Sequence, residues 1–481
     1  MTLTSALNSA MTGITAASKQ TAVVSDNLAN ALTPGYHRRS VELSTNAYTS
    51  GVQVGSVTRA LDPAIQKSVR AAEATYSGAA VTANFHTRMS DLIGSINDDY
   101  SLAQRLTDVE SALIEATSLP HSDARLNDLS MQAEELAVAV NTAAEGLSDL
   151  RNSSEESIAH LVRDLQTNLQ AVDDINDEIL AAKIGGLDTA PLEDQRDNLV
   201  DAINKVIPVQ IHNRDNEAIA LYTSNGIKLL DGSPAEISFD ETAIVTPFMT
   251  IDNGMLSGLE IDGRTVDTTL NGALGGGEMA AHFHVRDVAA VQAQEDLDVF
   301  AGSLIERFQS STVDPTIGAG DTGLFTDNGS VYDPTNLTAI SSRISLNASV
   351  SLSGDGETWR LRDGLHATGI GNQGDTTILN AYGDALSDPQ TVSSNGIGSG
   401  DYSAYDMVSN ILTHHTQETT WGEHELAYAS TIFQEMQGRE LEMGVDTDAE
   451  LQTLMTLETI YAANARMIQA IDEMLDQLMR I

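Results

Sequence analysis

The chain has 481 residues, enough for a sizeable core and for roughly three domains, yet only 4% are aromatic. Its 69 acidic and 25 basic side chains leave a formal charge of −44, which excludes nucleic-acid binding by phosphate neutralisation and opposes contact with anionic membranes. With no cysteine, the chain can form no disulfide, thiolate zinc site or cysteine nucleophile.

No charge precedes Lys19, and residues 1–18 alternate Thr, Ser and Ala with apolar residues, so no cleaved secretory signal is expected. The first element reads as a helix with a seam at Leu3, Leu7, Ala10, Ile14, Ala17, Thr21, Val24, Leu28 and Ala31, in alternating steps of 4 and 3. Such a 3.5-residue repeat is a coiled-coil seam, and its one polar member, Thr21, is of the kind that sets register. Thr33-Pro34-Gly35 stops this helix in a tight turn of type II character. Residues 38–57 then read as extended chain.

From about 60 to 184 the pattern is helical, with a break at Pro120 and Ser122 or Asp123 as the next cap. Residues 147–184 lack Gly and Pro and would span roughly 57 Å as one helix. Between 206 and 271 short apolar runs alternate with turns. Asn225-Gly226 predicts a hairpin, Asn253-Gly254 a second, and the segment a small antiparallel β region. Helix returns at 272–312, whereas 313–400 is rich in Gly, Ser, Asp and Thr and has no legible period.

Helix resumes near 401 and runs, with a break at Gly444, to the end. It closes on a second seam: Leu454, Leu457, Tyr461, Asn464, Ile468, Ile471, Leu475 and Leu478, with Asn464 its polar member. Residues 1–80 carry six basic and four acidic groups (+2), residues 401–481 three and fifteen (−12), so the two ends attract. They are expected to pair as a coiled coil; two ordinary amphipathic helices in one core are the competing reading.

Catalytic and cofactor sites are not expected. Residues 369–374 spell the dinucleotide fingerprint, but no βαβ unit surrounds them. His282 and His284 could share a face of a strand, with His414 and His415 further on, but none has the spacing of a zinc-binding helix. Asp446, Asp448 and Glu450 begin like a calcium loop, yet Leu451 and Leu457 stand where that loop needs Gly and Glu, so an acidic first helical turn explains them better.

Asn27-Leu28-Ala29-Asn30-Ala31-Leu32-Thr33-Pro34-Gly35-Tyr36 resembles the N-terminal signature of bacterial flagellar axial proteins, N-[IL]-A-N-x-x-T-P-G-Y. Within that class the chain resembles the hook-associated protein 1 family. Leu192 to Val200 is similar to its LLDQRDxLV helix, Gly272-Ala273-Leu274-Gly275-Gly276 to its G-x-L-G-G element, and the segments from Gly444 and Ile460 to its last-helix motifs. His37 stands where the family usually has Ser, and Thr447-Asp448 where it has Asn-Leu. The resemblance implies a structural, non-enzymatic subunit of the hook–filament junction, exported through the flagellar channel and located outside the cell. It implies as partners copies of itself, the hook protein, the second junction protein, and an export chaperone on the C-terminal helix.

The expected fold is therefore mainly α with a β subregion, an elongated α+β rod subunit. Residues 1–60 with 440–481 would make the terminal coiled-coil domain, and 61–205 with 272–439 a helical intermediate domain. Residues 206–271 would be the β subregion, and an outer β domain is expected to be reduced or absent. Two alternatives remain: another axial protein of hook or distal rod, and a metal-dependent hydrolase using His282, His284, His414 and His415.

Overall fold

A computed structural model describes residues 3–45, 51–95 and 98–479. The fold is mainly helical with small antiparallel sheets.

Helix α1 (Leu3–Ala29) ends in the turn at Thr33-Pro34-Gly35, where the Tyr36 N–H donates to the Thr33 carbonyl at 3.2 Å and Gly35 has φ of +73°. A type II turn needs that positive φ, which Gly adopts without a Cβ penalty. The chain then doubles back as the hairpin β1 (Arg39–Thr45) and β2 (Val52–Arg59) and lies along α1. Asn27 bonds both the N–H and the carbonyl of Arg39, each at 2.9 Å, and Val52 N–H reaches Thr12 Oγ1 at 3.2 Å.

Helix α2 (Pro63–Ile93) starts behind an Asp62 cap, with Pro in its first turn. After α3 (Leu102–Ser118) comes α4 (Asp123–Ile184), which has Ser122 at its N-cap and 62 residues, roughly 93 Å of helix. Helix α5 (Ala190–Val206) returns along it. The β subregion holds two sheets: β3 (Val209–Asn213), β4 (Ile219–Thr223) and β5 (Lys228–Leu230), then β6 (Ile237–Ser238), β7 (Glu260–Ile261) and β8 (Arg264–Thr265). Asn225-Gly226 turns β4 into β5.

Asn253-Gly254 makes a turn without a ladder, contrary to the expected hairpin. Carbonyls that flanking strands would need are taken: Thr246 and Met249 accept from the buried Arg151 guanidinium, and Phe248 accepts from Asn253 Nδ2. Helix α6 (Gly277–His284) runs through a π turn, Val285–Ala289, into α7 (Ala290–Phe308). His282 and His284 are therefore on a helix and not a strand, because Met279, Ala280 and Phe283 reach the core at helical spacing.

Residues 313–400 form no separate unit. They supply β9 (Phe325–Asp327), β10 (Ile344–Leu346), α8 (Arg360–Asp363), α9 (Thr377–Ser387), β11 (Gln390–Ser394) and β12 (Gly398–Tyr402). Phe325, Ile344, Leu361, Leu379 and Ile397 enter one core with α3, α7 and the first half of α4. A second core joins the later part of α4 to α5, the β sheets and α6. Helix α10 (Ala404–Leu441) packs along α2, with Tyr76 stacked on Phe433 at 5.7 Å between ring centres, and α11 (Thr447–Met479) packs on α1.

Candidate assembly interface

Helices α1 and α11 run antiparallel. Arg38, just beyond α1, meets Glu450 near the start of α11 at 2.6 Å, while Gly13 faces Asn464. Ala10, Ala17, Val24, Leu457 and Ile471 are buried in the contact. Leu3, Leu7, Ile14, Thr21, Leu28, Leu454, Asn464 and Ile468 are half-buried. Tyr461, Leu475 and Leu478 remain exposed, at 48%, 40% and 59%. With Gly13 level with Asn464 and an equal rise in both helices, Leu3 is level with about residue 474, so Leu475 and Leu478 overhang it.

The two polar seam residues do not meet. Asn464 sits in the gap left by Gly13, where a Cβ would lie 2.9 Å from Asn464 Nδ2. Thr21 is eight residues further on, about 12 Å along the axis.

Helix α11 is apolar over a wider arc than α1 covers. At about 100° per residue, Ile460, Met467 and Met474 form a row on one flank of the contact, and Tyr461 lies on the other. Ile460, Met467 and Met474 are 43%, 48% and 46% exposed. An isolated soluble helix pair would carry polar side chains there.

The terminal unit is tied to the body by a buried ionic cluster that the sequence reading did not assign. Asp194, Asp197 and Asp201 recur on one face of α5, with Glu193 beside them. Asp194 accepts from His37 Nδ1 at 2.9 Å, Arg39 Nη2 at 2.7 Å and Arg59 Nη1 at 3.0 Å. Arg59 also reaches Asp197 at 2.6 Å and Glu193 at 2.8 Å, and Arg70 reaches Asp201 at 2.5 Å. Burial raises the Asp194 pKa, but the hydrogen bonds from His37, Arg39 and Arg59 outweigh it and hold this carboxyl below the ordinary 3.8. Gly35 closes on the same helix, where a Cβ would run into Asn198 Oδ1. The signature residues thus have local work: Asn27 also accepts from the Tyr36 hydroxyl at 2.8 Å, which fixes the turn that delivers His37 to Arg39. The available signal was a basic triplet, His37-Arg38-Arg39, in a strongly acidic chain, set against carboxylates at helical spacing.

The other motifs carry no catalytic geometry. His282 and His415 are held neutral by burial, their pKa values pushed down to about 4 and about 3. Among the described residues no three His, Asp or Glu side chains are placed to share a metal. The 369–374 loop follows α8 without a preceding strand, and the Gly371 N–H already donates to Asp363 at 3.0 Å, so a carboxylate stands where a phosphate would be cradled. Asp446 caps α11 through the N–H groups of Asp448 and Ala449, whereas Glu450 is buried against Arg38.

A discontinuous helical body with its two chain ends paired beside it defines a subunit built around its termini. Family models agree at both ends: that of flagella basal body rod proteins matches residues 7–37, and that of the flagellar basal body rod FlgEFG protein C-terminal region matches 436–481. Between them, the flagellar hook-associated protein FlgK helical domain matches residues 86–314. Flagellar hook-associated protein 1 of Salmonella typhimurium is 24% identical over the whole of both chains. Its Escherichia coli counterpart is 25% identical over 57% of this chain and 52% of its own, and that of Bacillus subtilis 22% over 47% and 48%. The structure of the flagellar hook junction protein FlgK from Burkholderia pseudomallei aligns with a TM-score of 0.44 at 17% identity, over 55% of this chain and 47% of that one. Over its whole length the chain is thus similar to flagellar hook-associated protein 1.

Proposed function

We propose that this chain is a structural subunit of the bacterial flagellum that forms the junction between hook and filament, and that it assembles through α1 and α11. The observation that carries the assembly mode is the apolar surface α11 leaves uncovered on both flanks of its contact with α1. These side chains are about half exposed in the free subunit, so burying each between helices of neighbouring subunits is worth on the order of 1 kcal/mol, repeated around a closed layer. Its partners are copies of itself, the hook protein on one side and the second junction protein on the other. Before export, a chaperone would shield the same face of α11. The role calls for no catalysis, cofactor or metal.

Ile460→Asp tests this. The residue is 43% exposed in the free subunit, so the variant should fold with α1 and α11 still paired. A buried unpaired carboxylate in the assembly is costly, so cells carrying the variant should shed hooks without filaments. Normal filaments and motility would contradict the reading.

A further inference from the structure

The exposed row on α11 is built from an oxidisable side chain. Met467 and Met474 stand one heptad apart, 48% and 46% exposed, in line with Ile460. The chain has no cysteine to intercept an oxidant, so thioethers are its most readily oxidised groups. Of the body's methionines Met89, Met279 and Met407 are fully buried, while Met131 and Met255 are 45% and 58% exposed. Met11, Met455, Met467, Met474 and Met479 of the terminal helices are all open to solvent, and of these Met467 and Met474 lie in the row that flanks α1. Met455 lies about 180° around α11 from Asn464, away from the row that flanks α1.

We propose that Met467 and Met474 are a modification site at which a peroxide blocks incorporation of the free subunit. The proposal rests on the assembly reading above. The thioether sulfur attacks one peroxide oxygen and the O–O bond breaks. An S=O bond forms, and the second oxygen leaves as water with both protons. Sulfur gives up two electrons and the peroxide accepts them. The product is a polar acceptor in the middle of a helix-to-helix contact with no donor to satisfy it. Once assembled, both sulfurs are covered and the site is closed. Met89, Met279 and Met407 are buried in the body and shielded from the oxidant, while the exposed Met131 and Met255 lie outside the α1–α11 contact.

The test uses the purified full chain, treated with hydrogen peroxide until peptide mass spectrometry shows both residues converted, and then mixed with isolated filament-less hooks lacking this protein. Binding of the oxidised chain should fall by about tenfold or more. Met467→Leu/Met474→Leu, which conserves volume, should bind hooks before treatment and keep binding after it. Oxidised parent that binds like untreated parent overturns the proposal alone. Leucine variant that loses binding on treatment as the parent does also overturns it, because another methionine is then responsible. Untreated parent that fails to bind hooks overturns the assembly reading and the proposal with it.

Discussion

Replacing Asp194 by alanine removes the carboxylate on which Arg39, Arg59 and His37 of the terminal unit converge. Its side chain is 9% exposed, and those of His37, Arg39 and Arg59 are 13%, 10% and 11% exposed, so water replaces little of what is lost. Arg59 keeps Asp197 and Glu193. Arg39 keeps only its stacking on Tyr36, 4.7 Å from the ring centre, and becomes a buried cation without a carboxylate. Removing one partner of a buried pair costs about 3–5 kcal/mol, and the partners left to Arg59 put this case near 3. Amide exchange of the full chain reads it locally. Protection of β1 and β2 should fall by about 100-fold, while α4 keeps its protection, since 1.4 kcal/mol is a factor of ten. Arg39→Ala added to Asp194→Ala should cost little more than Asp194→Ala alone. Exchange of the hairpin within threefold of the parent, or fully additive losses, would refute the claim that this cluster holds the terminal unit to α5. The pH sign follows from the depressed carboxyl: its contribution is complete above the unfolded value of 3.8 and is lost as pH falls through the lower folded value.

Gly13→Val should overpack the α1–α11 contact by about 1–3 kcal/mol and speed exchange across α1, and Asn464→Ala should restore most of the loss; additive effects would show that Asn464 does not fill the Gly13 gap. His415 should make the body less stable in acid. Burial keeps it neutral in the fold, with a pKa of about 3, so between about pH 6.5 and 3 the unfolded chain takes up a proton that the folded chain refuses. Stability then falls with falling pH by about 1.4 kcal/mol per unit, and His415→Gln should flatten denaturation midpoints measured from pH 7 to 5; an unchanged slope would count against it.

Periodicity made the terminal helices legible, because a seam of Leu, Ile and Ala at 3.5-residue spacing has one reading whether the partner lies in the same chain or another. The long helix showed in the Gly- and Pro-free stretch from 147, although it starts at Asp123, since Gly146 inside it reads as a breaker while in the fold it gives room to Leu92. Asn225-Gly226 behaved as local turn chemistry dictates; Asn253-Gly254 did not, because Arg151, a hundred residues away in sequence, captured the carbonyls beside it. The ionic cluster was opaque for the same reason. Arg39 and Asp194 are 155 residues apart, and each alone looks like a solvated charge. Short elements such as β9, β10 and α8 show no period, and only packing on α4 and α7 gives them shape.

The central claim is that the flanks of α11 left open by α1 are covered by neighbouring subunits. A chain without cysteine allows a direct test by single substitution and thiol labelling. Tyr461→Cys should label readily in the purified subunit and resist labelling in isolated flagella, whereas Ile184→Cys at the far end of α4, where the native residue is 80% exposed, should label in both. Equal labelling of Tyr461→Cys before and after assembly would contradict the account.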